Sequence, residues 1–303
     1  MPAHALPSGR QVTLTGGSYT ATVTEVGATL RALSHHGRPL LLGFGEGEMA
    51  SGGRGQVLLP WPNRIEDGRY EFAGQTHQLP LSEPARANAS HGLVRWLPWR
   101  LRQTGADGLL AEVVLHPQPG YPHTLAVQVT YALGADGLRV RTRASNLGTT
   151  PAPYGHGMHP YLRAGSGPVD GWQLTLPADQ VCDVDGRGLP AVPRPVADSY
   201  DFRSARAIGP TRLDNPFTGL RRDDVGRATV VVRGPEDGAI ELWMDRSYRW
   251  VQVFTGDTLG HDARSALAVE PMTCPPNAFR SGTDLVRLEP GGSHEAAWGI
   301  RAG

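Results

Sequence analysis

The side chains able to move protons or grip a polar ligand fall in a few short clusters with apolar or aromatic neighbours. Asn63 and Arg64 follow Pro60-Trp61-Pro62, and His91 lies in Asn88-Ala89-Ser90-His91-Gly92. His156 and His159 share Gly155-His156-Gly157-Met158-His159-Pro160-Tyr161, and Glu270 ends Leu267-Ala268-Val269. Polar groups set among apolar walls are what a small-molecule cleft uses to orient its ligand. A histidine paired with a carboxylate suits a reaction in which protons are moved: the carboxylate removes a hydroxyl proton while an imidazolium, with a reference pKa near ~6.5, donates one. Opening a hemiacetal ring is chemistry of that kind.

Two other chemistries compete for the same residues. His156, His159 and Glu270 could supply nitrogen and oxygen ligands to a metal. Residues three apart on an extended strand point to opposite faces, however, so the two histidines would converge only across a turn, and no metal is expected. Glu270 and Asp214 could instead flank a glycosidic bond as a hydrolytic pair, which the sequence leaves open. Between the histidines, His159 precedes Pro160-Tyr161, whose fixed φ and aromatic ring can hold an imidazole against a ligand. His156, between Gly155 and Gly157, reads as flexible and suited to a turn or the cleft rim. Gly43-Phe44-Gly45-Glu46-Gly47 lacks the spacing and following helix of a dinucleotide fingerprint and reads as a turn. With no Walker loop and no Gly-x-Ser-x-Gly elbow, no cofactor and no covalent serine chemistry is expected.

Strands must position these groups. Leu125, Val127, Val129, Tyr131 and Leu133 alternate with polar or small residues, Gly134-Ala135-Asp136-Gly137 follows, and Leu138 and Val140 then alternate with Arg139, Arg141 and Arg143, a hairpin with one buried face. Residues 101–115 repeat the device around Asp107-Gly108, and residues 230–244 around Pro235-Glu236-Asp237-Gly238, because Asp-Gly tolerates the positive φ of tight turns. Shorter strands are expected at 19–26, 29–34, 39–44, 69–72, 172–176, 251–255, 267–270 and 296–300. No stretch holds a 3.6-residue period over three turns. The expected class is all-β, an antiparallel sandwich or barrel-like stack, and not a parallel α/β sheet. No repeat or long linker divides the chain, and residues 191–210 read as a long loop between sheets, so 1–303 is expected to form a single domain.

Composition narrows the partners. Glycine and proline, 39 and 26 in 303 residues, stay below the ~25–30% of low-complexity sequence and mark a folded, turn-rich chain. The 29 basic residues, all arginine, balance 29 acidic ones, which argues against a polyanionic partner such as nucleic acid. Arg221-Arg222-Asp223-Asp224 reads as a solvated loop. No run approaches the ~18 apolar residues of a membrane span, and residues 1–12 lack the pattern of a signal peptide, so a cytoplasmic location is expected. Cys182 and Cys274 read as buried free thiols.

In their order along the chain, these clusters resemble the aldose 1-epimerases (galactose mutarotases). The likeness runs through Val26-Gly27-Ala28-Thr29-Leu30, Pro62-Asn63-Arg64-Ile65 with Gly68-Arg69-Tyr70, Asn88 to Gly92, His159-Pro160-Tyr161, Leu213-Asp214-Asn215-Pro216-Phe217, and Val269-Glu270-Pro271-Met272-Thr273 with Asn277-Ala278-Phe279. The resemblance implies a large galactose mutarotase-like β-sandwich and metal-free interconversion of sugar anomers. It further implies that Glu270 is the base on the anomeric hydroxyl and His159 the acid at the ring oxygen. His91, Arg64, Asp214 and Asn63 would bind the sugar. A small-molecule sugar is then the expected partner, with neither nucleic acid nor membrane, the chain being a monomer or a homodimer. Three places depart from the family pattern: Gln56-Val57-Leu58-Leu59 before Pro60-Trp61-Pro62, Leu93 after His91-Gly92, and Leu162 after Tyr161. They are similar to a bacterial branch that includes sulfosugar mutarotases, so galactose is not assumed. A binding module or sensor that kept the fold without turnover is the alternative from another class.

Overall fold

A computed structural model describes residues 5–235 and 238–303. Strand makes up ~47% and helix 5% of it, far below the ~30–35% helix of an average globular protein. A nine-stranded antiparallel sheet runs in the order Arg100–Gln103, Gly108–Leu115, Leu125–Gly134, Gly137–Asn146, Ser293–Ala302, Ala239–Met244, Ala228–Arg233, Gln173–Thr175 and Arg206–Ala207. An eight-stranded sheet runs Arg194–Pro195, Ala178–Val181, Asp214–Leu220, Trp250–Phe254, Leu267–Met272, Gly157–Met158 and Val57–Leu58, with Tyr161–Leu162 also paired to Leu267–Met272. One apolar core fills the space between the two sheets, with Val129, Tyr131 and Trp298 from the first and Phe217, Val253 and Val269 from the second. This is an antiparallel β-sandwich. A four-stranded sheet from Gln11–Gly16 to Arg38–Pro39 and three two-stranded ribbons complete it.

The period-2 pattern explains the first sheet. Leu125 to Leu133 bury every second side chain, and across the ladder Val140 and Ala144 do the same while Arg139, Arg141 and Arg143 face solvent. At the turn, Gly137 has φ 99° and an added Cβ would lie 2.3 Å from the Ile300 carbonyl, so glycine is required twice over. The turn of the preceding hairpin corrects the same expectation. Gly108 is not in the left-handed region, and glycine is needed there because a Cβ would meet Thr104 Oγ1 at 2.4 Å. For the third turn, Glu236 and Asp237 lie outside the described residues, but the expected strands flank it as Ala228–Arg233 and Ala239–Met244.

Other expectations need revision. Of residues 39–44, only Pro39 lies in a strand, because Gly43 packs directly against the Arg31 carbonyl, too close for a regular ladder, and Leu41 makes only an isolated bridge to Leu162. Arg222 is not a solvated loop residue: its guanidinium donates to the carbonyls of Gly226, Met244, Asp245 and Tyr248, and burial lowers its pKa. Residues 191–210 do run between sheets, from the edge strand Arg194–Pro195 of one to the edge strand Arg206–Ala207 of the other. Cys182 and Cys274 are buried and free, their thiols pushed by burial up to about 11 and about 12. Among the described residues, no helix is long and apolar enough to cross a membrane.

The second sheet behaves differently. All of Leu267–Met272 is buried, so both of its faces are covered. Val251, Val253 and Val269 enter the main core. On the opposite face, three cross-strand pairs stand in a row: Trp250 with Met272, Gln252 with Glu270, and Phe254 with Ala268. The outer pairs belong to two small apolar clusters, one with Cys182 and the other with Tyr161. Glu270 is thus lodged between two greasy flanks.

Candidate active site

Three pieces of backbone aim side chains over this row. The ribbon of Arg64–Glu66 and Asn88–Ser90 pairs Arg64 with Ser90, and the residues flanking that pair, Asn63 and His91, take left-handed φ values of 54° and 62°. Asn and His tolerate that region better than most side chains. The His91 amide donates to the Asn63 carbonyl at 2.8 Å, which closes the end of the ribbon. His159 leaves the Gly157–Met158 strand just before Pro160, and its ring stacks on Tyr161 at 4.9 Å with 17° between planes. Tyr161 is held in turn by its hydroxyl, which donates to the Gly52 carbonyl at 2.8 Å. Gly53, at φ 80°, lies against the other side of the imidazole, where a Cβ would come within 2.4 Å of His159 Cδ2.

These elements enclose a cavity of about 460 Å³ that all six expected residues line: Asn63, Arg64, His91, His159, Asp214 and Glu270. His159 Nε2 lies 3.3 Å from Glu270 Oε1, and both side chains are almost wholly buried. His91 meets His159 edge to face at 5.4 Å. Gln252, beside Glu270, donates to Asp214 Oδ1 at 2.8 Å. Burial, followed by the charge of Asp214, raises the Glu270 carboxyl well above its ordinary range, and Arg64 partly opposes this. Burial, with Arg95 and Arg64 nearby, lowers His159 to about 3. His91 is lowered in the same way, chiefly by burial and then by His159. Burial thus disfavours charge on both members of the contact, raising the carboxyl and lowering the imidazole.

The model of the aldose 1-epimerase family matches residues 10–301. The chain belongs to the aldose 1-epimerase family, and so to the isomerases. The Escherichia coli protein YihR, which is uncharacterized, is 40% identical over 97% of this chain and 93% of its own. Rat galactose mutarotase is 33% identical over 51% of this chain, which spans about half of that enzyme, 46%. The fold is that of an aldose epimerase homologue from Caenorhabditis elegans, with a TM-score of 0.85 at 22% identity over 97% and 99% of the two chains.

Within this epimerase fold, His156 corrects the sequence reading. It is neither flexible nor at the rim: its ring is wholly buried against Tyr248 at 5.7 Å, and burial lowers its pKa to about 3. Its flanking glycines serve close packing, since a Cβ on Gly155 would strike Cys274 Sγ at 2.4 Å and one on Gly157 would strike Pro62 at 2.8 Å. Among the described residues, no three His, Cys, Asp or Glu side chains are grouped to hold a metal.

The cavity also holds residues that sequence reasoning missed. Gly53 packs on His159, Glu83 grips Arg64, and Arg95 stands half-buried over the Trp96 ring at 5.4 Å with the Glu83 charge acting on it. Tyr161 was expected to hold the imidazole and does so by stacking on it. Glu83 and Arg95 had no signal in the sequence, because both sit in irregular loops.

Proposed function

We propose that this protein interconverts the α and β anomers of a free or modified aldose through His159 and Glu270. The observation that carries the reading is the 3.3 Å contact between His159 Nε2 and Glu270 Oε1. The anomeric and ring oxygens of a sugar share one carbon, so the acid and base acting on them must stand side by side. In ring opening, ionised Glu270 takes the proton of the anomeric hydroxyl, the C1–ring-oxygen bond breaks, and His159 gives its proton to the ring oxygen as the aldehyde forms. Rotation about C1–C2 presents the other carbonyl face, and the transfers reverse. Opening leaves a protonated carboxyl and a neutral imidazole, the same proton inventory that burial favours in the resting pair. The reactive ion pair differs from it by one transfer across the contact, so the two groups titrate as a unit. His91, Arg64, Asp214 and Asn63 hold the sugar, and the two proton transfers need no Lewis acid.

One feature favours a substrate narrower than a neutral hexose. Arg95, half-buried on the cavity wall, with no salt bridge within 4 Å among the described residues and only the nearby charge of Glu83 acting on it, fits an aldose bearing an anionic substituent. The test is anomer exchange followed by NMR with galactose, glucose, a sulfonated glucose and a phosphorylated glucose, with and without exhaustive chelation. Exchange that persists after chelation and is fastest with an anionic sugar is expected. Binding without exchange would favour a sensor, and release of a free sugar from aryl glycosides would favour a hydrolase using Glu270 and Asp214.

A further inference from the structure

Arg64 reaches the cavity with one edge of its guanidinium already taken. Its Nε donates to Glu83 Oε2 at 2.8 Å and its Nη2 to Glu83 Oε1 at 3.2 Å, while Nη1 lies 3.5 Å from Asn63 Oδ1. A two-pronged pair of this kind fixes the plane of the guanidinium as well as its place. That plane has a floor. Gly188, at φ 75°, approaches so closely that an added Cβ would lie 2.6 Å from Arg64 Nη1.

The floor and the fork are tied to each other. Asp185 Oδ1 accepts from the amides of Arg187 and Leu189, which shapes the Gly188 turn. From that turn, Arg187 donates to the carbonyls of Arg86 and Ala87 and to Asp67 Oδ1, gripping the short loop that carries Glu83. Asn88 returns the contact by donating to the Arg187 carbonyl at 2.9 Å. Two loops distant in sequence, neither of which carries the proton-transfer pair, thus join to hold one cavity side chain.

We propose that Glu83 is a positioning residue: it clamps Arg64 against Gly188 so that the Nη1 edge, which also meets Asn63, is turned toward the sugar, and its charge tempers that of Arg64 at the Glu270–His159 pair. The proposal rests on the mutarotase reading above. The pair is faced by Arg64, Arg95, His91, Asp214 and Tyr161, and the Arg64 charge favours ionised Glu270 while disfavouring the imidazolium. With Glu83 neutralised, the uncompensated Arg64 charge moves both apparent pKa values of the pair downward.

The experiment is a double-mutant cycle read by kcat and KM across pH, using anomer exchange of whichever of glucose or galactose the wild-type protein turns over. Glu83→Gln is expected to lower kcat/KM by roughly 10–100-fold, the scale of a small misplacement of a binding group, and to shift the pH limbs to lower pH. In an Arg64→Ala background the same substitution should change kcat/KM by less than about twofold and shift the limbs by clearly less than in the wild type, the remaining shift passing through Arg95, on which Glu83 also acts. Gly188→Ala should likewise lower kcat/KM only while Arg64 is present, but without moving the limbs, because the Glu83 charge remains. If Glu83→Gln fails to fold, Glu83→Asp keeps the charge and loses reach, so reduced kcat/KM with unshifted limbs is expected. Equal losses in both backgrounds, or an unchanged profile in Glu83→Gln, would overturn the proposal. Failure of the mutarotase reading would show separately, as undiminished exchange in Glu270→Gln or none in the wild type; the Glu83–Arg64 coupling would then be read from calorimetric affinities for the same sugars.

Discussion

The two large sheets share one core and divide the labour. The nine-stranded sheet is built mainly from long, regular hairpins, short only at its Gln173–Thr175 and Arg206–Ala207 end, and none of its residues reaches the cavity. The eight-stranded sheet is made of shorter strands, buries Leu267–Met272 on both faces, and carries His159, Asp214 and Glu270 on or beside its strands. Regular pairing serves stability, where many similar contacts add up. Short pairings interrupted by glycine and proline let the backbone turn a few side chains toward one cavity, as the proposed acid–base reaction requires.

If that division holds, substitutions in the two sheets should affect different quantities. The largest effect is expected from Glu270→Gln. The amide keeps the shape of the carboxyl but cannot take a proton, so anomer exchange should fall by about 10²–10⁴ while sugar binding by calorimetry survives. Activity within about threefold of wild type would reassign the base. Trp298→Ala, in the nine-stranded sheet, should instead cost about 3–5 kcal/mol in denaturant unfolding and leave kcat of the folded fraction unchanged. A selective loss of kcat would break the comparison. His159→Asn should lower kcat by roughly 10² with little change in KM, the signature of an interaction made mainly in the transition state.

His156→Asn gives the smallest effect on rate, within about threefold, since the ring is in the core and not in the cavity. Its consequence is in stability against pH. Burial lowers the folded-state pKa of His156 to about 3, against ~6.5 in the unfolded chain, so the unfolded state binds more protons between those values. The stability that His156 contributes is complete above pH ~6.5 and is lost as pH falls toward 3. The Asn variant should show a shallower acid decline in urea midpoints, and an unchanged slope would mean that His156 is not the group responsible.

Legibility in the sequence followed the same division. The hairpin from Leu125 to Asn146 could be read residue by residue, because a sheet wet on one face alternates apolar and polar side chains. The strand Asp214–Leu220 was missed: Pro216 and Gly219 interrupt any strand pattern, and its place is set by the ladder to Trp250–Phe254. Asn63, His91, His159 and Glu270 each sit beside a proline or glycine that marks a special backbone, whereas Arg64 and Asp214 lack such a neighbour and Asp214 entered the sugar-binding set only through the family resemblance. His156 bore the same local signature and misled, since its glycines answer a demand for space that only the packed structure reveals. Glu83 and Arg95 offered no pattern at all. Their positions follow from loop closure over the cavity, a relation between segments that no local window contains.

The apolar flanks on either side of Glu270 have a last consequence, for what the surrounding medium can do. Spontaneous anomer exchange in water is helped by any dissolved acid or base, and so it quickens as buffer is added. Here Trp250 and Met272 on one side and Phe254, Ala268 and Tyr161 on the other wall off the carboxyl along its strand, and Gln252, its cross-strand neighbour, is engaged by Asp214. In the proposed mechanism, with the sugar filling the remaining opening, both protons of each turnover would be supplied and received inside. The enzymatic rate at fixed pH and ionic strength should therefore be flat across a wide range of phosphate or imidazole concentration, while the background rate in the same tube climbs.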